Sequence, residues 1–74
     1  MTLNEFIEVF AEEFENTEMS VFKADTEFKD LEEWDSLTAL SIIAMVDKQF
    51  NKTITGANLR THNTIEDLYN FIVS

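Results

Sequence analysis

Glu33-Trp34-Asp35-Ser36-Leu37 is where an acidic, irregular stretch gives way abruptly to a long apolar helix. Asp35 can cap that helix by accepting a hydrogen bond from a backbone N–H of its first turn. With Asp35 as N-cap, Ser36 falls at the first helical position with its hydroxyl unspent. That hydroxyl then sits at the positive end of the helix dipole, where a phosphate group is electrostatically favoured. Two readings are open on these residues alone: a seat for a phosphate ester, or a plain Asp-Ser capping pair.

Composition narrows the choice. Seventy-four residues are near the lower limit for folding on a single hydrophobic core. Cysteine is absent, which excludes disulfides and thiolate metal sites, and a single histidine, His62, argues against a zinc centre. Seven phenylalanines must therefore supply the stabilising core. Residues 1–35 hold twelve of the fifteen acids against Lys23 and Lys29, so the whole net charge of −10 precedes Ser36. From Ser36 onward, Asp47, Glu66 and Asp67 balance Lys48, Lys52 and Arg60. This distribution disfavours nucleic acid and anionic membranes and favours basic protein partners. No apolar run approaches a membrane span and no signal peptide opens the chain, so the expected location is cytoplasmic.

Outward from the central stretch, the pattern is helical. Thr2-Leu3-Asn4-Glu5 has the capping-box form. Leu3, Phe6, Ile7, Phe10 and Phe14 then recur on one helical face, which reads as core rather than as a ligand box. From about Asn16 to Trp34 the periodicity fades into a long connection. Phe28, Leu31 and Trp34 recur every three residues there, which suggests short helical turns pinning the connection to the core. Its clustered carboxylates lack EF-hand spacing and a loop glycine, so calcium is not indicated. The second helix is expected from Ser36 to about Phe50, with Ala39, Ile42, Ile43, Val46 and Phe50 on one apolar arc. Leu37, Leu40 and Ala44 form a second arc. That arc is either a partner surface or a contact with the last helix or the connection. Thr55-Gly56 marks a break before a short helical piece around Ala57–Arg60, and Thr64 caps the last helix, whose inward face is Ile65, Leu68, Tyr69 and Ile72.

Catalytic machinery is not indicated. A Ser36–His62–carboxylate triad would lack a nucleophile elbow and an oxyanion loop, and no P-loop or dinucleotide fingerprint is present. His62 reads as a partly buried, hydrogen-bonded residue rather than a base.

At this point the chain resembles an acyl carrier protein over nearly its full length. The residues that carry the resemblance are Glu33-Trp34-Asp35-Ser36-Leu37, the helix ending at Phe50, Ile54, and the Thr64-Ile65-Glu66-Asp67-Leu68 start of the last helix. Asp-Ser-Leu alone recurs by chance; placed mid-chain in an acidic helical domain of this size, it is specific. The resemblance implies that Ser36 carries 4′-phosphopantetheine, attached from coenzyme A by a phosphopantetheinyl transferase that reads Asp35. The arm's terminal thiol then holds acyl groups as thioesters, which is why such a carrier needs no cysteine of its own. Residues 1–74 are thus expected to be a single carrier domain. Its fold would be an all-α, small up-and-down four-helix bundle of three longer helices and one short one, with a long loop between the first and second helices.

The expected function is to present acyl intermediates to partner enzymes of fatty-acid, polyketide or other specialised acyl metabolism. A peptidyl, aryl or D-alanyl carrier with the same arm is the alternative, followed by an unmodified helical interaction module. The expected contact residues are Glu32, Glu33, Leu37, Leu40, Ala44 and Asp47. They would meet the transferase and acyl-loading, condensing or acyl-transfer enzymes with basic docking patches; the protein itself is expected to be a monomer. The second helix departs from the family pattern in carrying only Asp47 as an acid, with Ser41 where an acid is common, and His62 stands where an aliphatic residue is usual. The Trp-Asp-Ser-Leu wording looks closer to stand-alone carriers of specialised pathways. In the fatty-acyl carriers that the chain resembles, an alkyl chain can fold back between the helices. Ala39 and Ala44 are expected to leave room for one, so that hexanoyl or octanoyl loading raises the melting temperature.

Overall fold

Short polar side chains start every helix by meeting an amide that the helix itself leaves unpaired. In the computed structural model, which describes residues 1–74, Thr2 and Glu5 form a reciprocal capping box at the start of α1 (Leu3–Ala11). Asp35 caps α2 (Ser36–Phe50), and Thr55 with Asn58 closes a second capping box on the short α3 (Gly56–Thr61). Thr64 with Asp67 does the same for α4 (Ile65–Val73). Asn51 ends α2 in the left-handed conformation at φ 54°, a place that asparagine tolerates better than most residues. The architecture is the expected small all-α bundle, with α1 packed against α4 and α2, and α3 against α2. No helix is long and apolar enough to cross a membrane.

The first helix is shorter than its apolar stripe. It ends at Ala11, and the chain tightens so that the Glu13 and Phe14 amides bond to the carbonyls of Phe10 and Ala11, three residues back. Glu12, Glu13 and Glu15 crowd negative charge onto the negative end of the helix dipole, which disfavours further turns. Phe14 still reaches the core, stacked on Phe10 at 5.6 Å and against Phe22 at 5.0 Å. The centre of the core is Phe6, Phe10, Phe28, Ile42, Val46, Ile65, Leu68 and Ile72, all essentially inaccessible to solvent. On α2 the buried face is Ile42, Met45 and Val46; Ala39, Ile43 and Phe50 are only half-buried. Met45, absent from the expected arc, is buried with Ile42, one helical turn before it.

The long connection is held by the ends of other elements. It contains two single 3₁₀ turns, Met19–Val21 and Phe28–Asp30, and inserts Phe22 and Phe28 into the core. Trp34 packs edge-on to Phe28 at 5.0 Å, as its spacing from Phe28 suggests, while Leu31 is half-buried. The first two amides of α4, Ile65 and Glu66, have no partner within the helix and donate to the carbonyls of Thr26 and Ala24. Lys29 Nζ donates to the Arg60 carbonyl at 2.7 Å, satisfying an orphan acceptor near the end of α3.

Glu33 makes the third tie. Its carboxylate accepts from the backbone amides of Glu15 and Asn16 at 3.2 and 2.9 Å and from the Thr17 hydroxyl, fastening the segment after α1 to the turn before α2. The Thr17 hydroxyl first, and these amides with it, hold the Glu33 carboxyl below the usual glutamate value of 4.5. A carboxyl whose folded-state pKa is depressed stabilises the fold above the unfolded value and loses that contribution as pH falls through the folded one. In Glu33→Gln, the loss of stability from pH 5 downward should therefore be shallower than in wild type, while at pH 7 the variant melts lower. Melting curves at several pH values check this; parallel profiles for the two proteins would contradict it.

Candidate functional site

Asp35 lies in extended backbone (φ −152°, ψ −174°) and its Oδ1 accepts from the Thr38 amide at 2.8 Å. That amide, before any other cause, holds the Asp35 carboxyl below its ordinary value of 3.8, so the cap is anionic at neutral pH. The Thr38 hydroxyl in turn donates to the Glu33 carbonyl at 3.0 Å, which fixes the angle at which the connection enters the helix. Because Asp35 supplies the cap, Ser36 stands at the first helical position, exposed and free of the capping role. The arrangement is the one expected from the sequence: an exposed hydroxyl at a positive helix end, next to a fixed carboxylate.

Two surface hollows flank this ridge, and their chemistry differs. Ser36, Trp34, Ala39, Gly56 and Leu59 line one of about 320 Å³, together with Lys29 and Arg60. The other, of about 300 Å³, is lined by Glu13, Glu15, Glu33, Leu37, Thr38 and Ser41. Asp35 borders both. The sequence reading missed Glu13 and Glu15 on the acidic side and Lys29 and Arg60 on the basic side. No local signal marks them, since each pair is brought to Ser36 by a connection or by α3 rather than by α2.

The expected contact residues separate into groups. Leu37 and Leu40 are 75% and 60% exposed and Ala44 is exposed, so the second arc of α2 is not buried against the last helix or the connection. The exposure of Ala44 also corrects its expected part in leaving room for an alkyl chain, because it faces solvent on the side of α2 opposite Ile42 and Val46. Glu32 and Asp47 are exposed. Glu33 is half-buried, and its carboxylate is engaged with residues 15–17 of its own chain. His62 is half-buried, with Nδ1 2.6 Å from the Asn58 carbonyl and its ring 4.7 Å from that of Phe71. A carbonyl only accepts, so Nδ1 carries the hydrogen, and the residue does not line the hollow beside Ser36.

A family model described as a phosphopantetheine attachment site matches residues 4–72, which is almost the whole chain. No curated protein and no solved structure matches it. A helical bundle of this size, with an exposed serine at a carboxylate-capped helix start, is in keeping with that match. The chain belongs to the phosphopantetheine-binding carrier proteins, whose members bear a covalently attached 4′-phosphopantetheine.

Proposed function

We propose that residues 1–74 act as one non-catalytic acyl carrier domain, with the arm attached at Ser36. The cargo would be acyl intermediates of fatty-acid, polyketide or other specialised acyl metabolism. The observation that carries this reading is the exposed Ser36 hydroxyl at the capped start of α2, in a chain of this family. The residues fit the group: a phosphodiester on Ser36 would lie at the positive end of a fifteen-residue helix, beside a hollow that offers two cations and an apolar floor. When bound, the arm supplies a flexible thiol that carries acyl groups as thioesters. The chain's own residues do the rest. Asp35 orients the first turn, Trp34 buttresses the connection, and Ser36 offers its oxygen to a transferase that brings coenzyme A and its own base.

Partner enzymes would approach over Leu37, Leu40 and Ala44. Glu13 and Glu15 line the hollow that Leu37 borders, Glu32 is exposed farther along the turn, and Asp47 follows Ala44 one helical turn on. A basic patch on the partner suits this face, and Asp47 alone gives the rest of α2 little charge.

The cargo has little room inside. Eight large side chains fill the centre of the core, and all three hollows of the molecule open at its surface. Ala39 lines the hollow beside Ser36 rather than a cavity. Enclosing an alkyl chain would require prising packed elements apart, which costs about 1–3 kcal/mol even for smaller insertions.

Three outcomes follow. Incubation with a broad-specificity phosphopantetheinyl transferase and coenzyme A should add one arm to the wild type and none to Ser36→Ala, read by mass spectrometry; modification that survives the substitution refutes the assignment. The rate of modification should fall as salt rises. Glu13→Lys should slow it about two- to fivefold and Leu40→Glu by more, with Asp47→Lys least harmful; the reverse ranking would move docking to the far end of α2. Octanoyl loading should shift the melting temperature by less than the ~4–8 °C that 1 kcal/mol gives a domain of this size. A larger rise would show that the core opens to shelter the chain.

A further inference from the structure

We infer that the hollow beside Ser36 is a docking seat for the proximal arm, with Lys29 and Arg60 as a two-cation clamp on its phosphodiester. The inference rests on Ser36 being the attachment point. The chain has only five basic residues against fifteen acids, yet two of the five border the one hollow that Ser36 lines. They come from separate elements, Lys29 from the 3₁₀ turn Phe28–Asp30 and Arg60 from α3. The hydrogen bond from Lys29 Nζ to the Arg60 carbonyl holds the two together at 2.7 Å.

That tether spends one of the three ammonium hydrogens and leaves two for an anion. The Arg60 guanidinium folds back toward Gly56, with Nη1 3.5 Å from where a Cβ there would lie, so it overhangs the hollow rather than pointing away from the fold. Trp34, Ala39 and Leu59 add apolar surface suited to the aliphatic part of the arm, and Asp35, whose carboxylate is taken up in capping α2 at the Thr38 amide, borders the hollow as the single acid against the two cations. At about 320 Å³ the hollow is at the small end of ligand sites, enough for a headgroup and the first few carbons of an arm. Across Asp35 the other hollow carries Glu13, Glu15 and Glu33, which repel a phosphodiester. The two cations thus turn the arm toward α3, away from the hollow that Leu37 lines, and a docked arm leaves that face clear for partners.

The test uses the ¹⁵N-labelled full chain before and after arm attachment, as wild type, Lys29→Gln, Arg60→Gln and the double variant. In the wild type, attachment should shift the amides of Gly56, Leu59 and Arg60 and the Trp34 indole, besides the neighbours of Ser36, and broaden the ³¹P line of the phosphodiester. Each single substitution should lower the docked population about two- to fivefold, the double variant should lose the distant shifts, and added salt should weaken them in the wild type. The unmodified spectra of the variants report whether their folds are intact, and Lys29→Arg should restore the shifts. Shifts confined to the neighbours of Ser36, or unchanged in a folded double variant, overturn the clamp alone. A protein that takes no arm at Ser36 overturns both the clamp and the attachment assignment.

Discussion

An α-helix leaves the amides of its first turn without partners, and the way these are satisfied organises this small protein. At α2 the Thr38 amide is met by the side chain of Asp35, which leaves the adjacent Ser36 exposed and uncommitted. At α4 the reciprocal Thr64–Asp67 box meets the amides of both its residues, and the two amides between them, Ile65 and Glu66, are met by carbonyls of the long connection. Each cap is worth about 0.5–2 kcal/mol, a sizeable share of the stability of a chain this short. The same requirement therefore places the site and fastens the segment that leads to it.

Twenty-four residues lie between α1 and α2, and ordering their backbone is entropically costly, at about 1–2 kcal/mol per residue. Burial of Phe14, Phe22 and Phe28, with Trp34 half-covered, offsets a part of that cost, about 1.5–3 kcal/mol for each buried ring. The polar ties then choose one arrangement among several apolar ones. Glu33 gathers residues 15–17, Lys29 reaches the end of α3, and Ala24 and Thr26 cap α4. Glu33 shows that acidity in this chain is not all surface charge for partners, because one of its carboxylates is a structural acceptor.

Charge is segregated about Asp35. The acids of the first helix's end and the cations of the 3₁₀ turn and α3 fall on opposite flanks of the same helix start. A net charge of −10 would suggest a uniformly anionic surface, yet the immediate surroundings of Ser36 are divided into an anionic side and a cationic one. The exposed leucines of α2 continue on the anionic side, since Leu37 lines that hollow. The exposed Ser36 and the exposed leucines of α2 are thereby adjacent on the same helix start, while Ser36 and Leu37 line different hollows.

The sequence by itself determined the four helix starts in substance, the place of Ser36 just after the Asp35 cap, and the grouping of Leu37, Leu40 and Ala44 on one arc of α2, while leaving open whether that arc is exposed. These are local matters: a cap acts within three residues, and a helical face follows from a fixed angular step. The Phe28–Leu31–Trp34 spacing likewise marked short turns, because three-residue repetition is the signature of a 3₁₀ turn. Tertiary structure decided the rest. Where α1 stops depended on charge at its end competing with a stripe that continues to Phe14. That Met45 is buried and Ala44 exposed depended on how α2 is rotated against α1 and α3. Glu33 reads as one more acid of an acidic turn until residues 15–17 are beside it, and Lys29 and Arg60, 31 positions apart, acquire meaning only when α3 folds against the turn. Such pairings are set by long-range packing, which periodicity and spacing along a single chain do not encode.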